Sequence, residues 1–190
     1  MTGKTIGFAM TGSFCTFAPA IRALSELCEQ YASVIPIFSE HAATLDTRFG
    51  TAAEHLRQVE EICGKPVICT IPDAEPIGPK HLLDALVIAP CTGNTLAKLT
   101  AGIADSAVTF ACKAHLRNGR PVILAVSTND GLAAAAQNIG LLLNRKQFFF
   151  VPFGQDDPIH KPASLTADLS RLRETVDAAL EGVQLQPVLR

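Results

Sequence analysis

Short, continuously apolar runs alternate along the chain with longer segments whose apolar residues recur every three or four positions. The runs at 4–10, 34–38, 67–71, 86–89, 121–127 and 148–153 lack the polar alternation of a half-exposed strand, which predicts strands covered on both faces. Between them, helical spacing predicts helices over 19–31, 49–63, 104–116, 131–143 and 166–180, a short helix over 80–84, and another starting at the small residues after position 90. The segments 39–46, 72–79 and 154–162 read as loops, the second because it holds Pro72, Pro76 and Pro79. Strands alternating with helices predict an α/β fold: a three-layer Rossmann-like or flavodoxin-like, mainly parallel sheet with right-handed crossovers and helices on both faces. Residues 1–190 are expected to form one such domain, with 182–190 a C-terminal tail.

In sheets of this kind, ligands gather beyond the carboxyl ends of the strands. Three such ends are rich in small hydrogen-bonding residues: Thr11, Gly12 and Ser13; Cys91, Thr92, Gly93, Asn94 and Thr95; and Ser127, Thr128 and Asn129. The second group opens a helix, whose first amides lack internal partners and carry partial positive charge, an arrangement suited to a phosphate or carboxylate. The same residues also suit an ordinary helix cap without a ligand. Convergence of the three turns on one rim is the geometric expectation.

Composition narrows the partners. The net charge of −2 over 190 residues gives no electrostatic footprint for nucleic acid or an anionic membrane. No stretch approaches a membrane-spanning length and no secretion signal opens the chain, so a cytoplasmic protein is expected. The six cysteines are scattered without a CxxC pair and read mostly as buried free thiols, and the five histidines are dispersed, so no metal is expected. Gly7 to Gly12, GFAMTG, approaches a dinucleotide fingerprint, but its first residues fall inside a strand; Ser13 and Phe14 stand where a P-loop needs Lys and Ser or Thr. At a helix start Cys91 suits either a nucleophile or a small packed residue, the latter preferred because no base is evident beside it.

Residues 88–95, IAPCTGNT, with Lys98, Gly102 and Asp105 downstream, resemble the IAPxSANT-type segment of the flavoprotein family that includes homo-oligomeric FMN-containing cysteine decarboxylases, and Thr11, Gly12 and Ser13 match its TGS turn. The resemblance implies FMN held by Thr11, Gly12, Ser13, Cys91, Thr92, Gly93, Asn94, Thr95, Ser127 and Thr128, and self-association into a homo-oligomer. Departures remove decarboxylase chemistry: the family's catalytic His aligns near Pro76, five residues from His81, and its PxMN signature becomes Val126, Ser127, Thr128 and Asn129. The segments LLDALVIAPCTGNTLAKL, LRNGRPVILAVSTNDGL, FVPFGQDDP and EGVQLQP resemble one branch of that family more closely. That likeness implies an A subunit, a nicotinamide-binding dehydrogenase carrying NADP, and a small dicarboxylate substrate. Asn129 is the first choice for its contact, with Lys98 and Arg48 as further anion contacts or as solvated surface charges. An independent FMN decarboxylase and a non-catalytic assembly module with a vestigial phosphate site are the alternative readings.

Overall fold

Apolar runs become strands here only where a neighbour is free to pair with them. The computed structural model describes residues 2–190. In chain order its elements are β1 (Thr2–Met10), α1 (Phe17–Gln30), β2 (Tyr31–Phe38), α2 (Glu40–Thr44), α3 (Ala52–Cys63), α4 (Ile71–Ala74), β3 (Ala85–Cys91), α5 (Gly93–Ala101), α6 (Ala107–Leu116), β4 (Val122–Thr128), α7 (Ala136–Leu143), β5 (Phe148–Phe150), β6 (Phe153–Gly154), β7 (Leu165–Ala167) and α8 (Leu172–Leu180). Strands β2, β1, β3, β4 and β5 pair side by side and all parallel, the flavodoxin-like order. Every residue of β3, the central strand, is buried, which accounts for its unbroken apolar sequence. On one side α1 packs against α8, while α5 packs with α6 and α7 in a second group.

Six local expectations change. The run at 67–71 forms no strand; only Ile68 pairs, with the Pro36 and Phe38 backbone of β2, because Pro66 and Pro72 flank it and withhold donors. The expected loops at 39–46 and 72–79 contain α2 and α4, capped by the Ser39 and Thr70 side chains, with Pro72 in the first turn of α4, where its missing amide costs nothing. The expected helix at 80–84 is a turn that drives Leu83 into the core. The run at 148–153 splits at Pro152 into parallel β5 and antiparallel β6. Finally, the expected helix over 166–180 begins only at Leu172, because residues 165–167 pair as β7 with the end of β4, Ser127 opposite Thr166 and Thr128 opposite Leu165.

β4 therefore has two partners along one edge, β5 at its start and β7 at its end. The carboxamide of Gln184 satisfies the outward amide and carbonyl of Phe150 at 2.7 Å each, as a further strand would. Residues 182–190, expected as the tail, run beside β6: Phe153 and Arg190 donate their amides to Val188 and Phe153, and the Arg190 guanidinium meets Asp168 at 2.6 Å.

His115 on α6 is completely buried, with Nε2 3.0 Å from the Pro121 carbonyl and Nδ1 without a partner among the described residues. Burial pushes its pKa down to about 4 against an ordinary 6.5, since the imidazolium cannot be solvated there. The unfolded chain thus binds a proton that the folded one refuses. Stability is expected to be complete above pH 6.5 and to fall towards pH 4 by up to about 3 kcal/mol from this group. Urea titrations across that window check it: His115→Gln should flatten the slope relative to wild type, and an identical slope contradicts the assignment.

Candidate functional site

The carboxyl ends of β1, β3 and β4 open into a cleft of about 1100 Å³. It lies where the chain order reverses between β1 and β3, the switch point at which neighbouring crossovers leave in opposite directions and a crevice must open. One hydroxyl knits that point. Thr11, 2% exposed, donates to the Pro90 carbonyl at 2.8 Å and accepts from the Thr92 amide at 3.1 Å, so the turns after β1 and β3 are tied through a single side chain.

From Thr92 the chain turns directly into α5. The Thr92 hydroxyl accepts from the Thr95 amide at 3.2 Å and Leu96 donates to the Thr92 carbonyl, so the amides of Gly93 and Asn94 precede the first intrahelical bond and face the cleft end. Gly93 is required by crowding: a Cβ there would lie 2.8 Å from both the Thr128 hydroxyl and an Asp130 carboxylate oxygen. The Thr128 hydroxyl donates to Asp130, holding that carboxylate beside the helix. Across the floor, Ser13 and Ser127 share a hydrogen bond of 2.8 Å, and Thr16 reaches Ser127 at 3.2 Å.

The expected rim therefore exists: Gly12, Ser13, Thr92, Gly93, Asn94, Ser127, Thr128, Asn129 and Arg48 all line the cleft. Thr11, Cys91 and Thr95 lie beneath it, buried, and position the lining without forming it. Cys91 is wholly buried and its thiol is pushed up by that burial, Cys112 adding a smaller push; this is the packed residue and not an activated nucleophile. Lys98 lies elsewhere, its ammonium 2.8 Å from Asp105. His81 sits ahead of β3, at the amino end of the sheet, away from the cleft. The GFAMTG stretch is strand through Met10, and a Cβ on Gly7 would meet Leu83 and Leu86, so no dinucleotide loop forms there.

Other lining residues escape sequence reasoning. Asp156, Lys161, Ser164 and Thr166 return to the cleft because β7 pairs with β4, a pairing hidden by the helical spacing of 166–180. Ser164, and then the Lys161 ammonium at 3.2 Å, hold the Asp156 carboxyl below its usual range. Phe14, Cys15 and Phe49 supply the outer wall, Phe49 from a turn closed by reciprocal amide bonds between Thr47 and Gly50, with the Arg48 guanidinium 4.9 Å above its ring.

The family profile described as Flavoprotein matches residues 1–178. The chain belongs to that family. Over 189 residues it is 44% identical to the B subunit of dipicolinate synthase of Bacillus subtilis, covering 100% of this chain and 94% of that protein. The crystal structure of the dipicolinate synthase B subunit from Bacillus halodurans superposes with a TM-score of 0.91 at 44% identity, over 99% of this chain and 96% of the other. A dodecameric FMN-dependent Ubix-like decarboxylase from Escherichia coli O157:H7 aligns with a TM-score of 0.64 at 24% identity, over 78% and 79% of the two chains, a likeness of fold. Among the described residues no helix is long and apolar enough to cross a membrane.

Thr11→Val keeps the side-chain shape and removes both bonds at the switch point, leaving the Pro90 carbonyl and Thr92 amide without their partner. It should cost about 2–4 kcal/mol in chemical denaturation, with Thr11→Ser recovering most of it. Equal stabilities for Thr11→Val and Thr11→Ser contradict the role given to the hydroxyl.

Proposed function

We propose that this chain acts as the B subunit of a dipicolinate synthase, with an NADP-carrying A subunit, in oxidising a dihydrodipicolinate-type precursor to dipicolinate during sporulation. The observation that carries the reading is end-to-end identity of 44% with a protein of that name, covering 100% of this chain. The chemistry of the cleft agrees with the substrate class. Oxidation of the precursor removes a hydride and a proton from a ring bearing two carboxylates, and a binding subunit must hold both anions while leaving the ring open to the acceptor on its partner. The Gly93 and Asn94 amides with the Asn129 carboxamide serve one carboxylate; Arg48, and Lys161 opposite in charge to its neighbour Asp156, serve the other. Lys98 has no part, since it does not line the cleft and pairs with Asp105 outside it.

The same donor set fits a flavin mononucleotide. The cleft volume of about 1100 Å³ is ample, the Ser13 hydroxyl and the Gly93 and Asn94 amides match a phosphate, and Phe14 and Phe49 offer apolar walls. FMN, when bound, supplies an electron-accepting ring. Gly12, Thr92, Ser127 and Thr128 would complete its cradle, with Thr11, Cys91 and Thr95 supporting from beneath. One domain over 1–190, a cytoplasmic location and self-association complete the reading, the last in keeping with the dodecameric relative.

Reconstitution tests this. Adding the chain to purified A subunit should raise the rate of NADPH formation from the precursor, and Asn129→Ala should raise the apparent KM about tenfold, the loss of a hydrogen bond to a charged group. A fully active A subunit whose rate and KM are unmoved by this chain sinks the proposal. Flavin absorbance of freshly purified protein reports separately on FMN.

A further inference from the structure

α1 and α3 lie side by side, and each carries a thiol at its carboxyl end: Cys28 in the last turn of α1 and Cys63 as the final residue of α3. Their sulfurs are 3.9 Å apart, and both residues are half-buried. Neither lines the cleft, so the pair is unused by the reaction proposed above. Of the other thiols, Cys91 and Cys112 are sealed in the core, Cys15 is exposed at the cleft wall, and Cys69, also half-buried, donates to the Val67 carbonyl.

We propose that Cys28 and Cys63 are a reactive dithiol that closes to a disulfide when the protein meets a low-molecular-weight disulfide, stapling α1 to α3. A disulfide spans about 2 Å between sulfurs, so closure asks for about 2 Å of approach, within reach of side-chain rotation on two helix ends. The two thiols are electrostatically unequal. Cys28 is held below the ordinary thiol range, chiefly by its hydrogen-bond contact with Cys63 and with the Lys65 ammonium adding to it, while the same contact and burial push Cys63 up. Cys28 is therefore the attacking thiolate. It displaces one thiolate from the small disulfide to give a mixed disulfide; Cys63, passing its proton to the departing thiolate, then attacks the Cys28 sulfur and expels the second. The two protein thiols are oxidised and one small disulfide is reduced to two thiols.

The staple acts on the site through the two helices. Their amino ends carry Phe14 and Cys15 on one side and Phe49 on the other, and these three residues wall the main cleft and an adjoining chamber of about 490 Å³ between the helices. Joining the carboxyl ends fixes the spacing of the helices and so limits how far that shared wall can move. A reversible cross-link of this kind is the form in which disulfides occur in reducing compartments.

The test treats the intact chain at neutral pH with oxidised glutathione, then with dithiothreitol. Alkylation and peptide mapping should find one dithiothreitol-reversible link joining the Cys28 and Cys63 peptides. The oxidised chain should melt on the order of 5–10 °C higher, and the amides of 52–63 should exchange more slowly. Cys28→Ser and Cys63→Ser should each abolish the link and both shifts. Thiols left free or capped singly as mixed disulfides overturn the dithiol, and a link that leaves exchange over 52–63 unchanged overturns the staple.

Discussion

The structure turns on one buried hydroxyl. At a switch point two crossovers diverge, and the ladder between β1 and β3 stops at Ala9 and Ile88, short of the turns that follow. Thr11 supplies the missing connection, donating to Pro90 and accepting from Thr92, so the turn after β1 and the start of α5 become one rigid edge. That edge fixes where the Gly93 and Asn94 amides point and places Ser13 opposite Ser127. Preorganised donors matter because an anion bound by amides and hydroxyls gains little from each, and reorganising them on binding would cost most of that gain.

A second constraint comes from the far end of the chain. β4 pairs with β5 early and with β7 late, and only the second pairing brings Asp156, Lys161 and Ser164 over the cleft. The segment stays there because Gln184 stands in for a missing strand beside Phe150, while Arg190 and Asp168 clamp the final residues against β6. The cleft thus has a rigid half, built on parallel strand ends, and a half added by an antiparallel return. Charge is spread over both: the Asp130 carboxylate stands among the hydroxyls and amides of the first, and the paired Lys161 and Asp156 belong to the second.

Most of the parallel core could be read from sequence because strands buried on both faces have no polar positions, as in β3 and β4. The rim was equally legible at Ser13, Asn94 and Asn129, since small polar residues directly after such strands have little else to do than cap or bind. What failed depends on partners distant in the chain. Residues 67–71 are apolar enough for a strand but are flanked by prolines and find only one bridge; residues 165–167 fit a helical period yet pair with β4. Of the two readings open for Lys98, the surface charge holds: it lies outside the cleft, paired with Asp105 beyond the end of α5. The prolines at 72 and 76 signalled a loop, although a first helical turn accepts them.

The proposed dicarboxylate guest asks for two anion contacts on one rim, the α5 amino end that the Thr11 tie positions and Arg48 beyond it. A crystal structure of the chain grown with dipicolinate tests that directly: the ligand is expected between the α5 amino end and Arg48, one carboxylate within hydrogen-bond reach of Asn94 and Asn129. A ligand bound anywhere outside the β1, β3 and β4 carboxyl ends, with this rim unengaged, would contradict it.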